Sequence, residues 1–151
     1  MAGMEGLGRL YDFVPAASAK PFRLNANSAV GLLAVASSTT TTTLTVAYAS
    51  TFGGSYTPFT TANGCNQPGH WYQNVASDGT GQWVTETASW ASNVLTIGAT
   101  SGYASVLEIF GSMLPAGAAY LKVTAANASL VAVVHDLTVM RKPDYLVALG
   151  S

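Results

Sequence analysis

The feature that most constrains this chain is a period-two apolar pattern over residues 118–140. Leu121, Val123 and Ala125 alternate with Tyr120, Lys122 and Thr124, and after Ala126, Asn127 and Ala128 a second run sets Val131, Val133, His135, Leu137 and Val139 at every other position. Successive side chains of a strand point to opposite faces, so two such runs joined by small residues predict a β-hairpin. The remaining positions of the second run are apolar at Leu130, Ala132 and Val134, then change character at Asp136, Thr138 and Met140. A strand that is apolar on both sides for half its length is covered on both sides. The pattern therefore predicts a central strand of a two-layer β structure whose far end reaches water.

Similar signals recur along the chain at the short spacing of a sandwich or barrel. Val30, Leu32 and Ala34 interleave with Leu33 and Val35, and the threonines at 39–43 lead into Leu44, Val46 and Tyr48; Thr is β-branched and suits a half-exposed strand. Residues 50–69, rich in Gly and Pro among small polar residues, read as a long irregular loop and a candidate functional surface. Strands are expected at 70–77 and 82–90 around the Asp78-Gly79 turn, at Val94–Ile97 after the Ser92-Asn93 turn, and at 103–110. A loop at 111–117 returns the chain to the opening pattern. With no sustained helical period, the expected fold is all-β: a single-domain antiparallel β-sandwich of about eight strands, jelly-roll or Ig-like.

Residues 1–27 differ from this series. They hold Glu5, Arg9, Asp12, Lys20 and Arg23, two prolines, and the aromatic clusters Leu10-Tyr11, Phe13-Val14 and Phe22 without regular period. They are read as an extended arm that packs along another surface, with residues 28–151 as the β-sandwich domain. At the other end, residues 141–151 restore charge at Arg141, Lys142 and Asp144, and Pro143 stops the strand ladder before a small apolar terminus.

Composition narrows the function. With 151 residues the chain can bury the core of one domain. Charged residues make up 9 %, against about 25 % in ordinary soluble domains, and the net charge is −1. Such a surface lacks the mixed charge that keeps monomers apart, which points to coverage by other copies or by a larger assembly. It also lacks the basic stripe that nucleic-acid binding needs. The single cysteine, Cys65, has no internal disulfide partner. Glu5, Arg9 and Asp12 interrupt the place where a secretion signal would have its apolar core, and the apolar run 29–36 is too short to cross a bilayer as a helix.

No catalytic constellation emerges. His135 and Asp136 are strand neighbours on opposite faces, so His135 reads as a structural histidine at the core edge. His70 near Cys65 supplies two metal ligands where a zinc site needs three or four. Asp78, Glu86, Glu108 and Asp136 lie on separate elements, and the glycine pairs lack the lysine and helix of a phosphate loop. The expectation is no enzyme, no cofactor and no metal. The aromatics Trp71, Tyr72, Trp83 and Trp90 are the candidate interface residues: Trp71 is out of phase with Tyr72, and the odd spacing of Trp83 and Trp90 on one expected strand sends one of them outward.

The opening LYDFVPA, the Ala/Thr/Ser-rich strands with turns such as SDGTG and SNV, and the closing YLKVTAANASLVAVVHDLTVMRKP resemble small virion proteins of tailed bacteriophages, in particular head decoration (cement) or minor capsid proteins. The resemblance implies a non-enzymatic protein made in the host cytoplasm that stabilises the outside of an assembled capsid, commonly as a homotrimer, with the major capsid protein as partner and with neither membrane nor nucleic acid. In that setting Leu10, Tyr11, Phe13, Val14 and Phe22 would form the capsid-binding arm. A carbohydrate-binding or tail-associated adhesion module is the alternative if Trp71, Tyr72 and Trp83 form an exposed platform. A small membrane β-barrel is suggested by the strand number and low charge, but the missing signal and polar strand faces such as Thr85 and Thr87 weigh against it.

Overall fold

The computed structural model describes residues 11–15, 20–37, 41–74, 80–98 and 103–136. Over these the alternating runs become strands: β1 (Tyr11–Pro15), β2 (Phe22–Arg23), β3 (Ser28–Ala36), β4 (Thr42–Ala49), β5 (Thr57–Pro58), β6 (His70–Asn74), β7 (Trp83–Thr87), β8 (Trp90–Ala91), β9 (Val94–Ile97), β10 (Ala104–Phe110), β11 (Tyr120–Ala126) and β12 (Ala128–Asp136). Short 3-10 turns at Thr61–Asn63 and Gly111–Met113 are the helical elements among the described residues.

The strands form two antiparallel sheets. The first runs β1-β12-β3-β10-β6-β7, and the second runs β2-β11-β4-β9-β8 with β5 added alongside β4. The chain is thus an all-β sandwich, as its alternation predicts; the strand order does not by itself establish a jelly-roll or Ig-like topology. The core lies between the sheets. Val30, Leu32, Leu107, Ile109 and Ala132 point into it from the first sheet and Leu44, Val46, Leu95, Leu121 and Val123 from the second, all essentially inaccessible to water. Burying side chains of this size contributes about 1.5–3 kcal/mol each before ordering costs, so the two inner faces hold the fold together.

The structure departs from the sequence expectations at four places. The runs at β11 and β12 are not a hairpin: β11 belongs to the second sheet and β12 to the first. A single linking residue is too short for a two-residue hairpin turn. Asn127 instead takes a left-handed conformation (φ 60°) and turns the corner between layers. Its carbonyl accepts from the Ser37 N–H (2.9 Å) and the Thr42 hydroxyl (3.4 Å), and its side-chain amide donates to the Thr41 carbonyl (3.0 Å). Asn tolerates this conformation better than most residues.

The separate arm over residues 1–27 is the second departure. The backbone of β1 pairs with β12 along Tyr11–Pro15, setting Tyr11 opposite His135, Phe13 opposite Val133 and Val14 opposite Ala132. Farther along, Phe22 and Leu24 are fully buried in the core on either side of half-exposed Arg23. This apolar–charged–apolar triplet is itself a strand alternation, too short beside Pro21 to stand out as one. The body of the domain therefore begins before residue 28, and Phe22 is a core residue rather than an anchor for a partner.

Third, the single strand expected over 82–90 divides. β7 closes one edge of the first sheet, whereas β8 pairs with β9 in the second through the turn at Ser92 (φ 61°). Fourth, the loop expected at 50–69 is partly core: Phe59 is inaccessible and Cys65 nearly so. Phe59 N–H donates to the Val46 carbonyl (3.1 Å), which fixes the loop against β4.

Candidate binding face

Each sheet has an outer face, and the two are chemically unlike. On the second sheet, Thr43, Thr45, Lys122 and Thr124 alternate with the core residues of β4 and β11. Its two cations lie against rings, Arg23 Cζ 5.7 Å from the Tyr120 centroid and Lys122 Nζ 5.5 Å from the Tyr56 centroid. Phe52 meets Tyr120 edge-on at 5.9 Å. This is the hydroxyl-and-charge surface expected of a sheet facing water.

The outer face of the first sheet is apolar. The register aligns Tyr72, Val106, Leu33 and Val131 in one row across β6, β10, β3 and β12, with Gly31 and Val133 in the next. Strand alternation dictates this outcome: Leu32 and Leu107 point inward, so Leu33 and Val106 point outward. Five large hydrophobic residues stay exposed among those described, and four of them, Val35, Tyr72, Trp83 and Val131, belong to this face. Trp83, at 51 %, is the most accessible of them.

A trough crosses these strands. Gly31, Leu33, Trp83, Val106, Val133 and His135 line about 430 Å³, and a neighbouring depression of about 290 Å³ between Tyr72, Trp83 and Val106 shares two of its walls. Gly31 keeps the floor low, since a methyl group there would have no neighbour within 4 Å. At the β12 end, His135 Nε2 stands 3.9 Å from Glu108 Oε1, too far for a direct hydrogen bond but close enough to attract if the imidazole is protonated. The pair places a carboxylate and an imidazole at one end of this mostly apolar face.

The residues expected to carry function separate accordingly. Tyr72 and Trp83 come together on the outer face, diagonal to each other across β6 and β7 because Tyr72 lies opposite Thr85. Trp71 is buried on the inner side of β6. Trp90 is half-buried in the other sheet, its Nε1–H donating to the Pro68 carbonyl (2.8 Å) and its ring 6.0 Å from that of Phe59. It is structural. Tyr11, Phe13 and Val14 occupy β1, at the edge beside β12, and Leu10 lies outside the described residues, as do Asp78 and residues 137–151. Cys65 and His70 part company, Cys65 in the core and His70 exposed on β6. Burial pushes the Cys65 thiol above its ordinary 9.0, against a smaller opposing hydrogen bond from the Thr60 backbone.

Sequence reasoning did not single out Gly31, Leu33, Val35 and Val106 as surface. The signal was present in the run 29–36, where both parities are apolar. Cover on both sides was inferred for the run that became β12, and the second of those sides is the outer face now seen without cover among the described residues. Comparison with known proteins returns no match, whether by family model, curated sequence or solved structure.

Proposed function

We propose that this chain is a non-enzymatic structural module that attaches to a larger assembly through the outer face of its first sheet. The observation that carries the proposal is the concentration of exposed Val35 and Val131 with Leu33 and Val133 beside them, bordered at β6 and β7 by Tyr72 and Trp83, on one side of the molecule. A contiguous apolar patch with polar surroundings marks an interaction surface. A net charge of −1 adds little repulsion between copies or toward a shell.

The resemblance to tailed-phage virion proteins gives the assembly its identity in this proposal. The chain is a decoration (cement) protein on the capsid exterior, bound to the major capsid protein and to further copies of itself in a homotrimer. The placement of β1 changes how residues 11–15 serve that role: they extend the docking face at the β12 edge instead of reaching out as a free arm. Each aliphatic contact is weak, because these side chains are already partly covered and attachment has ordering costs. Joining several copies raises the effective concentration of the rest.

The test is co-sedimentation of the purified chain with undecorated capsid shells. Wild type is expected in the pellet and a Leu33→Asp/Val131→Asp variant in the supernatant with its thermal melt retained. Equal pelleting of both would remove the face from the account.

A further inference from the structure

We infer that the aromatic corner where β6, β7 and β10 meet is a binding site for a neutral oligosaccharide. This site is separate from the aliphatic β3–β12 portion of the face assigned to shell attachment.

The two portions differ in kind. Around Leu33, Val35, Val131 and Val133 the surface is branched aliphatic, which suits close packing against another protein surface. At the corner, the two most exposed large hydrophobic side chains of the described residues are rings, Trp83 (51 %) and Tyr72 (42 %). They lie diagonally on adjacent strands paired through five registered positions from His70 to Asn74, so the platform is rigid. Diagonal neighbours on one sheet face are within reach of a single ligand. With Val106 they enclose about 290 Å³ open to solvent.

The chemistry around the rings selects the ligand. None of the side chains lining the depression is charged, which disfavours a phosphate, sulfate or sialylated ligand. Of the other outward positions of β6 and β7, His70, Thr85 and Thr87 are exposed and supply hydroxyl and imidazole groups at the rim, while Asn74, opposite Trp83, is buried with its amide donating to the Gly81 carbonyl (2.8 Å). A pyranose matches this arrangement: its C–H face lies flat on an aromatic ring while its hydroxyls reach polar partners at the edge. Two rings on one platform can each take the face of a sugar, so the site suits an oligosaccharide better than a single sugar.

The experiment titrates the full chain with neutral tetrasaccharides (cello-, malto-, chito- and mannotetraose) by calorimetry, with tryptophan emission as a second signal. Trp71 is buried and Trp90 half-buried, so the emission change reports chiefly on Trp83. At least one tetrasaccharide is expected to bind and shift the emission. Trp83→Ala and Tyr72→Ala should each weaken binding at least tenfold with the melt unchanged, and Trp83→Tyr should restore part of it. Leu33→Asp/Val131→Asp should keep sugar binding while losing shell attachment, which separates failure of this inference from failure of the docking proposal. The inference is overturned if no tetrasaccharide binds at millimolar concentration, or if the alanine variants bind as wild type does. It is also overturned if Trp83→Ala releases the chain from shells without any sugar signal, because the corner then belongs to the protein interface.

Discussion

The outer faces of the two sheets start from the same rule and end differently. On β4 and β11 the positions facing away from the core include Thr43, Thr45, Lys122 and Thr124 with small alanines between, and the rings nearby lie against the cations. On β3, β10 and β12 they include Leu33, Val35, Val106, Val131 and Val133, with Glu108 and His135 at one end. One face is built for water, and the other repeats the composition of the core without a third layer over it among the described residues. The contrast shows that alternation alone locates a strand but not its environment. Chemistry at the second parity decides whether the far side meets solvent or a partner.

Neighbouring residues of β3 give the largest test of this difference. Leu32 is inaccessible in the core, so Leu32→Ala should cost about 2–5 kcal/mol, whereas Leu33→Ala, on the outer face, should cost about 1 kcal/mol or less in the isolated chain. Urea unfolding at a common temperature measures both. Phe22→Ala belongs with Leu32→Ala, at about 3–5 kcal/mol, if the body begins before residue 28. A loss near zero would return Phe22 to a free arm.

Two glycines make the next comparison. At Gly111 a methyl group would run into the carbonyl oxygen of Asn25, so Gly111→Ala should destabilise by about 1–3 kcal/mol. At Gly31 a methyl group meets nothing, and Gly31→Ala should leave stability within about 0.5 kcal/mol while raising the floor of the trough. Thermal melts of the two variants should therefore diverge.

Alkaline pH probes the core side of the contrast. The thiol of Cys65 and the phenol of Tyr48 are both raised by burial from ordinary values of 9.0 and 10.0. The unfolded chain then loses these protons first and binds fewer of them than the folded chain, so stability falls as pH rises through and beyond this range. Cys65→Ser should flatten part of that decline, read as denaturation midpoints between pH 8 and 10.

The smallest effect expected on stability is on the faces themselves. Val131→Asp and Thr124→Asp should each change the unfolding free energy of the isolated chain by about 0.5 kcal/mol or less. Val131→Asp alone should lower the sedimentation coefficient of self-associated material. Equal behaviour would make the two faces equivalent in solution.

The sandwich was legible because nine-residue β3 and β12 carry long apolar, β-branched-rich runs with no helical period, and the Ser92-Asn93 turn announced β8 and β9. The partition into sheets was not. Nothing local distinguishes a tight hairpin from a corner at Asn127, since the choice depends on Thr41, Thr42 and Ser37 brought near by the fold. Phe22 was hidden by brevity. Of the site, Tyr72 and Trp83 could be named from their residue types, but their meeting depends on the β6–β7 register, and Gly31 becomes part of a trough only when β3 lies between β10 and β12.

Chemical labelling at Val131 tests the central claim most directly. The chain has one cysteine, Cys65, and it is buried, so Val131→Cys introduces a single readily reached thiol on the outer face of the first sheet. The measurement is its maleimide labelling rate in the dilute free chain and after addition to undecorated capsid shells. Rapid labelling when free and strong protection on shells is the predicted result. The same rate in both states, with the protein verified to be shell-bound, would contradict the claim that this face is the one that attaches.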